Sequence, residues 1–254
     1  MSDRLAPDSA AAYMALSYAH QAIFDIDKAL ADNRRAVELD PQNALAWARL
    51  AELQLALREL DQALFSAHRA VELDPDLARA KTVEGFAYIA RIEIDAARAA
   101  FERAIELDQA DPLPRLGLGL TQIRRGTLAA GRRTIELAAS LDPGNSLLRS
   151  YLGKSYFEED RNKLAETQFD LAKQLDPNDP TPWFYEALLA QSENRPVEAL
   201  QNLQASMERN DNRAVYRSRQ LLDQDSASRS ASLGRIFNDL GFQSLNLPSK
   251  KIFI

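Results

Sequence analysis

The sequence LDPQN at residues 39–43 returns, with small changes, four more times along the chain. Its later versions are LDPDL at 73–77, LDQAD at 107–111, LDPGN at 141–145 and LDPND at 175–179. Each version begins 34 residues after the one before it. Because self-similarity at a fixed interval of this size is the signature of a repeat array, the chain is expected to be a series of similar structural units.

The rest of the sequence follows the same interval. When the proline of LDP is numbered as position 32, six units result, and they cover residues 10–43, 44–77, 78–111, 112–145, 146–179 and 180–213. Position 20 is Ala or Gly in every unit, and position 27 is Ala or Ser. Position 8 is Gly85, Gly119 and Gly153 in three units. Small residues at these positions let two antiparallel helices approach closely, and larger residues at positions 4, 7, 11 and 24 fill the space between them.

This pattern closely resembles the tetratricopeptide repeat (TPR), which has aromatic or small residues at the same positions and a proline at position 32. The aromatic position 4 is Tyr13, Trp47 and Trp183, and the resemblance covers residues 10–213. It implies an all-α fold: a right-handed superhelical solenoid of six TPR helix-turn-helix units, followed by C-terminal capping helices. Such arrays are typically scaffolds that bind other proteins.

The recurring LDP marks the boundary between repeats. Its leucine is predicted to be the last apolar residue of a second helix, which ends because the aspartate before proline is pushed out of helical dihedral angles. Position 34 is a typical helix N-cap residue in four units, namely Asn43, Asp111, Asn145 and Asp179. Pro112 and Pro180 then stand at the first helical position, where a missing N–H costs nothing. The third unit departs from the pattern with Gln109 in place of the proline.

The two ends of the chain fall outside the array. Residues 1–9 are predicted to be a frayed N-terminus. Residues 214–242 are predicted to be a helical cap, because an array needs an end unit that covers its last apolar face. Residues 243–254 form a C-terminal tail, which either stays disordered or docks through Lys250–Ile254. The sequence near residue 213 also resembles the close of TPR arrays in larger bacterial proteins, so the chain is either complete or a piece of something longer.

The composition argues against thiolate chemistry, a nucleic-acid-binding surface and a membrane-spanning helix. The chain has no cysteine and a net charge of −6, which favours neither thiolate chemistry nor a nucleic-acid surface. No stretch is long and apolar enough to span a membrane. A cytoplasmic location is predicted, with a periplasmic or envelope-associated one as the alternative if the chain is a fragment.

Few residues are candidates for a catalytic, metal or cofactor site. His20 is at position 11 and is predicted to be a core residue, whereas His68 is predicted to face solvent, and neither has a metal-ligand partner at proper spacing. The Gly-x-Gly of GLGLTQIRRG at 117–126 lacks the strand and spacing of a phosphate loop, and Gly119 is accounted for as a small position 8. We therefore predict no enzyme, no metal and no cofactor.

The resemblance implies that a partner lies on the concave face, which is lined by positions 2, 5, 9 and 12 of the first helices. Together with position 6, these positions are strongly apolar. The predicted groove residues are Met14, Tyr18, Leu45, Leu55, Phe86, Ile89, Leu116, Leu120, Ile123, Tyr151, Phe157, Phe184, Tyr185 and Leu188. The Lys–Asn pair with which some TPR co-chaperones grip a terminal carboxylate is absent at positions 5 and 9.

An apolar strip of this length is rarely left in water. The predicted function is a non-catalytic protein-interaction scaffold that binds a peptide or an amphipathic helix in this groove. Three alternatives remain open at this point: tight curvature buries part of the strip within the array, the strip or the array ends mediate assembly into homo-oligomers, or the tail occupies the groove. A further alternative is that the array is the regulatory region of a larger bacterial envelope or enzyme system.

Overall fold

In the computed structural model, which describes residues 9–23 and 25–209, the described part of the chain is entirely helical. Its twelve α-helices are α1 (Ala10–Ala22), α2 (Ile26–Leu39), α3 (Ala44–Ala56), α4 (Leu60–Leu73), α5 (Ala78–Ala90), α6 (Ile94–Leu107), α7 (Pro112–Arg124), α8 (Leu128–Leu141), α9 (Ser146–Phe157), α10 (Asn162–Leu175), α11 (Pro180–Ser192) and α12 (Pro196–Glu208). Each predicted repeat therefore contains two helices, as expected.

The described helices divide into two compact units, one ending at Leu141 and the other beginning at Asp142. In the first unit, α1–α8 form four antiparallel hairpins, and the second helix of each hairpin packs against the first helix of the next. The first helices α3, α5 and α7 also contact one another in sequence. In the second unit, α9–α12 form two hairpins joined by the same kinds of contact, α10 with α11 and α9 with α11.

The LDP sequence ends helices as predicted. Five second helices have as their last residue the leucine of this sequence, namely Leu39, Leu73, Leu107, Leu141 and Leu175. The aspartate that follows leaves the helical region, and Asp74, for example, has φ −144° and ψ 93°. The four predicted N-caps are confirmed, since the side chains of Asn43, Asp111, Asn145 and Asp179 each accept a hydrogen bond from a backbone N–H in the first turn of the next helix.

Large rings fill the space that glycines leave open inside the hairpins. Phe101 on α6 is fully buried, and a Cβ added at Gly85 on α5 would lie only 2.5 Å from its ring. A Cβ at Gly117 on α7 would overlap the same ring from the neighbouring hairpin. Phe169 has the corresponding place in the second unit, 2.5 Å from a Cβ at Gly153. The absence of a side chain at these glycines is therefore a packing requirement.

The turn within each hairpin has a feature that the sequence reading missed. Position 15 has a positive φ in five repeats, at Arg58 (62°), Ile92 (66°), Gly126 (83°), Asp160 (56°) and Asn194 (58°). This left-handed conformation favours glycine and is strained for a β-branched residue. Only one of the five residues is glycine, so the column carries no obvious sequence signal.

Three predicted segments lie partly or wholly outside the described residues. Of the predicted N-terminal segment, only Ser9 is described, and its Oγ accepts a hydrogen bond from the backbone N–H of Ala12 at 3.3 Å. Ser9 is therefore the N-cap of α1. The predicted helical cap at 214–242 and the tail at 243–254 lie outside the described residues, as do the last residues of the sixth repeat.

Candidate functional site

The fourteen residues predicted to line the groove differ widely in exposure. Tyr18 and Leu45 are exposed by 39% and 47%, and Met14, Ile123, Phe157 and Leu188 are partly exposed. Eight are buried: Leu55, Phe86, Ile89, Leu116, Leu120, Tyr151, Phe184 and Tyr185. Most of these side chains are therefore packing residues, and the exposed apolar surface of the predicted groove is discontinuous.

Ring contacts give the physical reason for part of this burial. Phe86 on α5 meets Phe101 on α6 edge to face, with ring centroids 5.0 Å apart. In the second unit, Tyr151 on α9 meets Tyr185 on α11 at 6.0 Å, and Tyr185 also stacks on Phe169 of α10 at 6.3 Å. Such pairs are favourable in offset or edge-to-face geometry. These inner positions hold neighbouring helices together, which position numbers alone did not reveal.

A buried ionic network crosses the first helices of the first three repeats. Glu52 on α3 accepts hydrogen bonds from Arg79 on α5, at 2.8 Å from Nε and 2.9 Å from Nη2, and from Nη1 of Arg49 at 3.2 Å. Arg49 donates in turn to Oγ and to the backbone carbonyl of Ser17 on α1, both at 3.3 Å. The network therefore connects α1, α3 and α5, and it places paired charges on a face predicted to be strongly apolar.

The members of the network differ in exposure. The side chains of Arg49 and Glu52 are only 1% and 8% exposed, whereas that of Arg79 is 41% exposed. The Cζ of Arg49 lies 4.2 Å from the centroid of the Tyr18 ring, and the Cζ of Arg79 lies 5.6 Å from it. Because buried charges are costly unless paired and hydrogen-bonded, the pairing keeps these ions inside the array. At the surface, the ring of Tyr18 and the guanidinium group of Arg79 lie side by side.

The second unit also carries an ionic contact involving its first helices. Lys173 on α10 is paired with Glu186 on α11, and its Nζ lies 4.3 Å from the centroid of Trp183. Burial raises the pKa of Glu186, and the hydrogen bond from Lys173 partly offsets that increase. Lys154 on α9 lies 5.7 Å from the ring of Tyr185. Charged and aromatic side chains are thus neighbours on this unit as well.

Both histidines contact a side chain on another helix. His20, predicted to be a core residue, is instead partly exposed, and its Nδ1 lies 2.6 Å from Oδ2 of Asp32. His68 is 44% exposed, as predicted, and its Nε2 lies 2.9 Å from the hydroxyl of Tyr88. Burial is the largest cause that raises the pKa of Tyr88. The contacts of both histidines therefore tie one helix to another.

Other chemical candidates are explained by packing. A Cβ at Gly119 would lie 2.5 Å from Cγ1 of Ile135 and 2.8 Å from the carbonyl oxygen of Gly131, so both glycines allow α7 and α8 to approach closely.

Within residues 9–23 and 25–209, no group of three or more His, Asp or Glu residues is placed to hold a metal ion. None of the helices in the same residues is long and apolar enough to cross a membrane.

Comparison with known proteins identifies the repeat. The family model described as tetratricopeptide repeat matches residues 10–43, which coincide with the first predicted unit, and a second model with the same description matches residues 34–65. No curated protein matches the sequence. Solved structures do match. All those described below are less than 25% identical to this chain, so they show similarity of fold alone.

Three solved structures illustrate that fold. One is the APC/C hetero-tetramer Cut9–Hcn1, with a TM-score of 0.74, 20% identity, 92% of this chain covered and 44% of that chain covered. A TPR protein from Parabacteroides merdae has a TM-score of 0.67 at 17% identity, covering 86% of this chain and 85% of its own. A thermophilic TPR protein from Thermus thermophilus has a TM-score of 0.66 at 22% identity, covering 72% of this chain and 100% of its own.

This chain therefore spans less than half of the Cut9–Hcn1 chain that it matches. The repeat models, the 34-residue period and the all-helical fold of the described residues agree with one another. Together they support a tetratricopeptide-repeat protein, with the family models themselves matching residues 10–65.

Proposed function

We propose that this chain is a non-catalytic interaction scaffold whose partner peptide lies along the first helices of the first unit. Repeat proteins of this kind typically bind protein partners, and they do so on extended surfaces. The proposed site is the surface formed by Tyr18 on α1, Leu45 on α3 and Arg79 on α5, which we term the N-terminal site. A partner would contact it as an extended or helical peptide.

One observation carries the proposal: the N-terminal site combines exposed apolar side chains with an arginine that a buried carboxylate holds in place. Tyr18 and Leu45 are exposed although both are large and apolar, and Arg79 is held in place by a buried carboxylate, Glu52. A guanidinium fixed in this way loses little conformational entropy on binding, so it is prepared for recognition. Aromatic and arginine side chains are also the residues that most often dominate binding interfaces.

The chemistry of the N-terminal site suggests the chemistry of the partner. Tyr18 and Leu45 favour apolar side chains, and Arg79 favours a carboxylate nearby. An amphipathic helix or short peptide with apolar residues and an acidic residue fits these groups, with the apolar side chains supplying most of the affinity. A cytoplasmic location, and the alternative of a regulatory region within a larger bacterial system, remain predictions from the sequence.

A peptide selection tests this function. Peptides selected from a random display library against the full chain would be synthesised, and their affinity measured by fluorescence anisotropy for wild type, Tyr18→Ala and Phe65→Ala. Phe65 is the matched control because it is an aromatic residue 64% exposed on the second helix α4. We expect Tyr18→Ala to weaken binding by about tenfold or more, as at a binding hot spot. Selected peptides that bind Tyr18→Ala as tightly as wild type, but lose affinity with Phe65→Ala, would refute the proposed site.

A further inference from the structure

Two buried polar residues distinguish the contact between the first two repeats from the later ones. Ser17 on α1 is fully buried, and Arg49 on α3 is only 1% exposed. The other repeats have Ala or Gly at position 8, where Ser17 lies, and Ala, Val, Gly or Tyr at position 6, where Arg49 lies. Packing of a repeat therefore does not require these polar groups, and a buried charge costs free energy to desolvate. Their role is local to this contact.

The guanidinium group of Arg49 is fixed in one orientation. Each of its three nitrogens donates a hydrogen bond: Nε to Oγ of Ser17 and Nη2 to the carbonyl oxygen of Ser17, both at 3.3 Å, and Nη1 to Glu52 at 3.2 Å. Because the group is planar and rigid, three bonds in different directions leave it no other orientation. Arg49 therefore presents a flat, immobile surface beside α1.

The ring of Tyr18 lies against this surface. Cζ of Arg49 lies over the ring, 4.2 Å from its centroid. A cation over the face of a tyrosine is favourable, and more so when the cation is desolvated, as Arg49 is. Ser17, which accepts two of the three hydrogen bonds, directly precedes Tyr18 on α1, so Arg49 holds the backbone and the ring of the same segment.

We propose that Arg49 is a positioning residue for peptide binding, which holds the ring of Tyr18 in its binding orientation without contacting the peptide. This role rests on the proposed function of the N-terminal site, because Tyr18 must contact the peptide for Arg49 to affect affinity. A ring that is free to change rotamer loses that freedom on binding, and the loss lowers affinity. Arg49 restricts the ring before the peptide arrives, and Ser17 in turn restricts Arg49.

Two substitutions loosen this support while keeping the charge of the chain. Arg49→Lys keeps a cation beside Glu52 but removes the planar group that lies over the ring. Ser17→Ala removes the Oγ acceptor and introduces the residue type found at position 8 of two other repeats. Ser206→Ala is the matched control, because Ser206 is fully buried on α12 of the second unit, where its Oγ donates to the carbonyl oxygen of Pro180 at 2.8 Å.

Fluorescence anisotropy with the tightest-binding synthetic peptide from the display selection measures the effect on the full chain. We expect Arg49→Lys to weaken binding by about fivefold and Ser17→Ala by about twofold to threefold, as expected when one side chain must be immobilised on binding. Ser206→Ala should leave the affinity unchanged. Circular dichroism and thermal unfolding establish that each variant is folded at the temperature of the binding measurement.

Double-mutant cycles separate positioning from a general loss of structure. In the Tyr18→Ala background, Arg49→Lys should change affinity by less than about twofold, because the ring through which it acts is gone. In the Arg79→Gln background, the loss of about fivefold should remain. A loss that persists without the Tyr18 ring, a loss that disappears with Arg79→Gln instead, or no loss for Arg49→Lys alone would overturn the proposal. A Tyr18→Ala substitution that itself leaves affinity unchanged would refute the N-terminal site, so the two failures are distinguishable.

Discussion

Phe101 and Phe169 have equivalent places in the third and fifth repeats, and each ring lies against a glycine on the first helix of its own hairpin, Gly85 and Gly153. The inner face of the first helices behaves differently. Position 9 is Tyr18, Glu52, Phe86, Leu120, Lys154 and Leu188 in successive repeats. The hairpin interior must satisfy the same close approach in each repeat, whereas the inner face is free to vary, and this variation is where a binding surface can arise.

The largest expected effect comes from breaking the buried network on the inner face. Glu52→Gln should lower the free energy of unfolding by about 3 kcal/mol, because it leaves the buried guanidinium of Arg49 without its carboxylate. Chemical denaturation followed by circular dichroism measures the change. Glu72→Gln is the control, since Glu72 is 65% exposed and pairs with Arg69 at the surface, and it should change stability by less than about 0.5 kcal/mol. A loss for Glu52→Gln that is as small as the one expected for the control would show that the network adds no stability.

A somewhat smaller effect is expected inside the hairpins. Gly117→Ala should cost about 2 kcal/mol of unfolding free energy, because the added Cβ would overlap the ring of Phe101. Gly144→Ala should be nearly neutral, since a Cβ there meets nothing within 4 Å. Combining Gly117→Ala with Phe101→Leu should show a favourable coupling in a double-mutant cycle. Additive effects of the two changes would mean that the ring and the glycine do not constrain each other.

Substitutions in the turns within the hairpins are expected to raise the free energy of unfolding. Ile92→Gly should raise the free energy of unfolding by about 1 kcal/mol, because Ile92 is 74% exposed, loses little packing and has a φ of 66° that a β-branched side chain resists. Thermal unfolding measures the gain. Asn194→Gly, at a φ of 58°, should gain less, because asparagine tolerates this conformation better. A larger gain at Asn194 than at Ile92 would argue against backbone strain as the cause.

The smallest effect concerns the pH dependence at one helix cap. Burial is the main cause that raises the pKa of Asp111. Folding therefore favours the protonated carboxyl group, and the stability that this preference provides is lost as the pH rises through the folded-state pKa. Asp111→Asn keeps a good cap for Leu113 N–H without the charge. The variant should therefore melt at a slightly higher temperature than wild type at pH 7, with the difference disappearing at low pH. A difference that grows as the pH falls would reverse the assigned direction.

Much of the fold follows from the sequence because the features that end helices are local. A leucine followed by Asp-Pro, and an Asn or Asp two residues after the proline, identify helix ends and caps without knowledge of the packing. The contacts of Arg79 with Glu52 could not be predicted in this way, because they join residues on different helices, 27 positions apart in sequence. Arg91–Asp61 and Arg125–Asp95 recur with a common separation of 30 residues, a signal that was present in the sequence but was not recognised.

The burial of the inner positions was also beyond a sequence reading. Phe86 and Tyr18 share position 9, yet Phe86 is 3% exposed and Tyr18 is 39% exposed. The difference depends on the neighbours that each ring meets: Phe86 packs on the ring of Phe101, whereas the neighbours of the Tyr18 ring include the guanidinium groups of Arg49 and Arg79. The position of a residue within a repeat therefore predicts which way its side chain points. How exposed that side chain is depends on the side chains around it.

We have proposed that the first helices of the first unit recognise a partner through the N-terminal site. The most direct test of this proposal compares Arg79→Gln with Arg103→Gln, using one selected peptide and fluorescence anisotropy. The two arginines are matched, since they are 41% and 45% exposed and each pairs with carboxylates, but Arg103 lies on the second helix α6. We expect Arg79→Gln to weaken binding by about tenfold at low salt and Arg103→Gln to leave the affinity within about twofold of wild type. Equal affinity of the two variants, with both folded, would contradict the proposal.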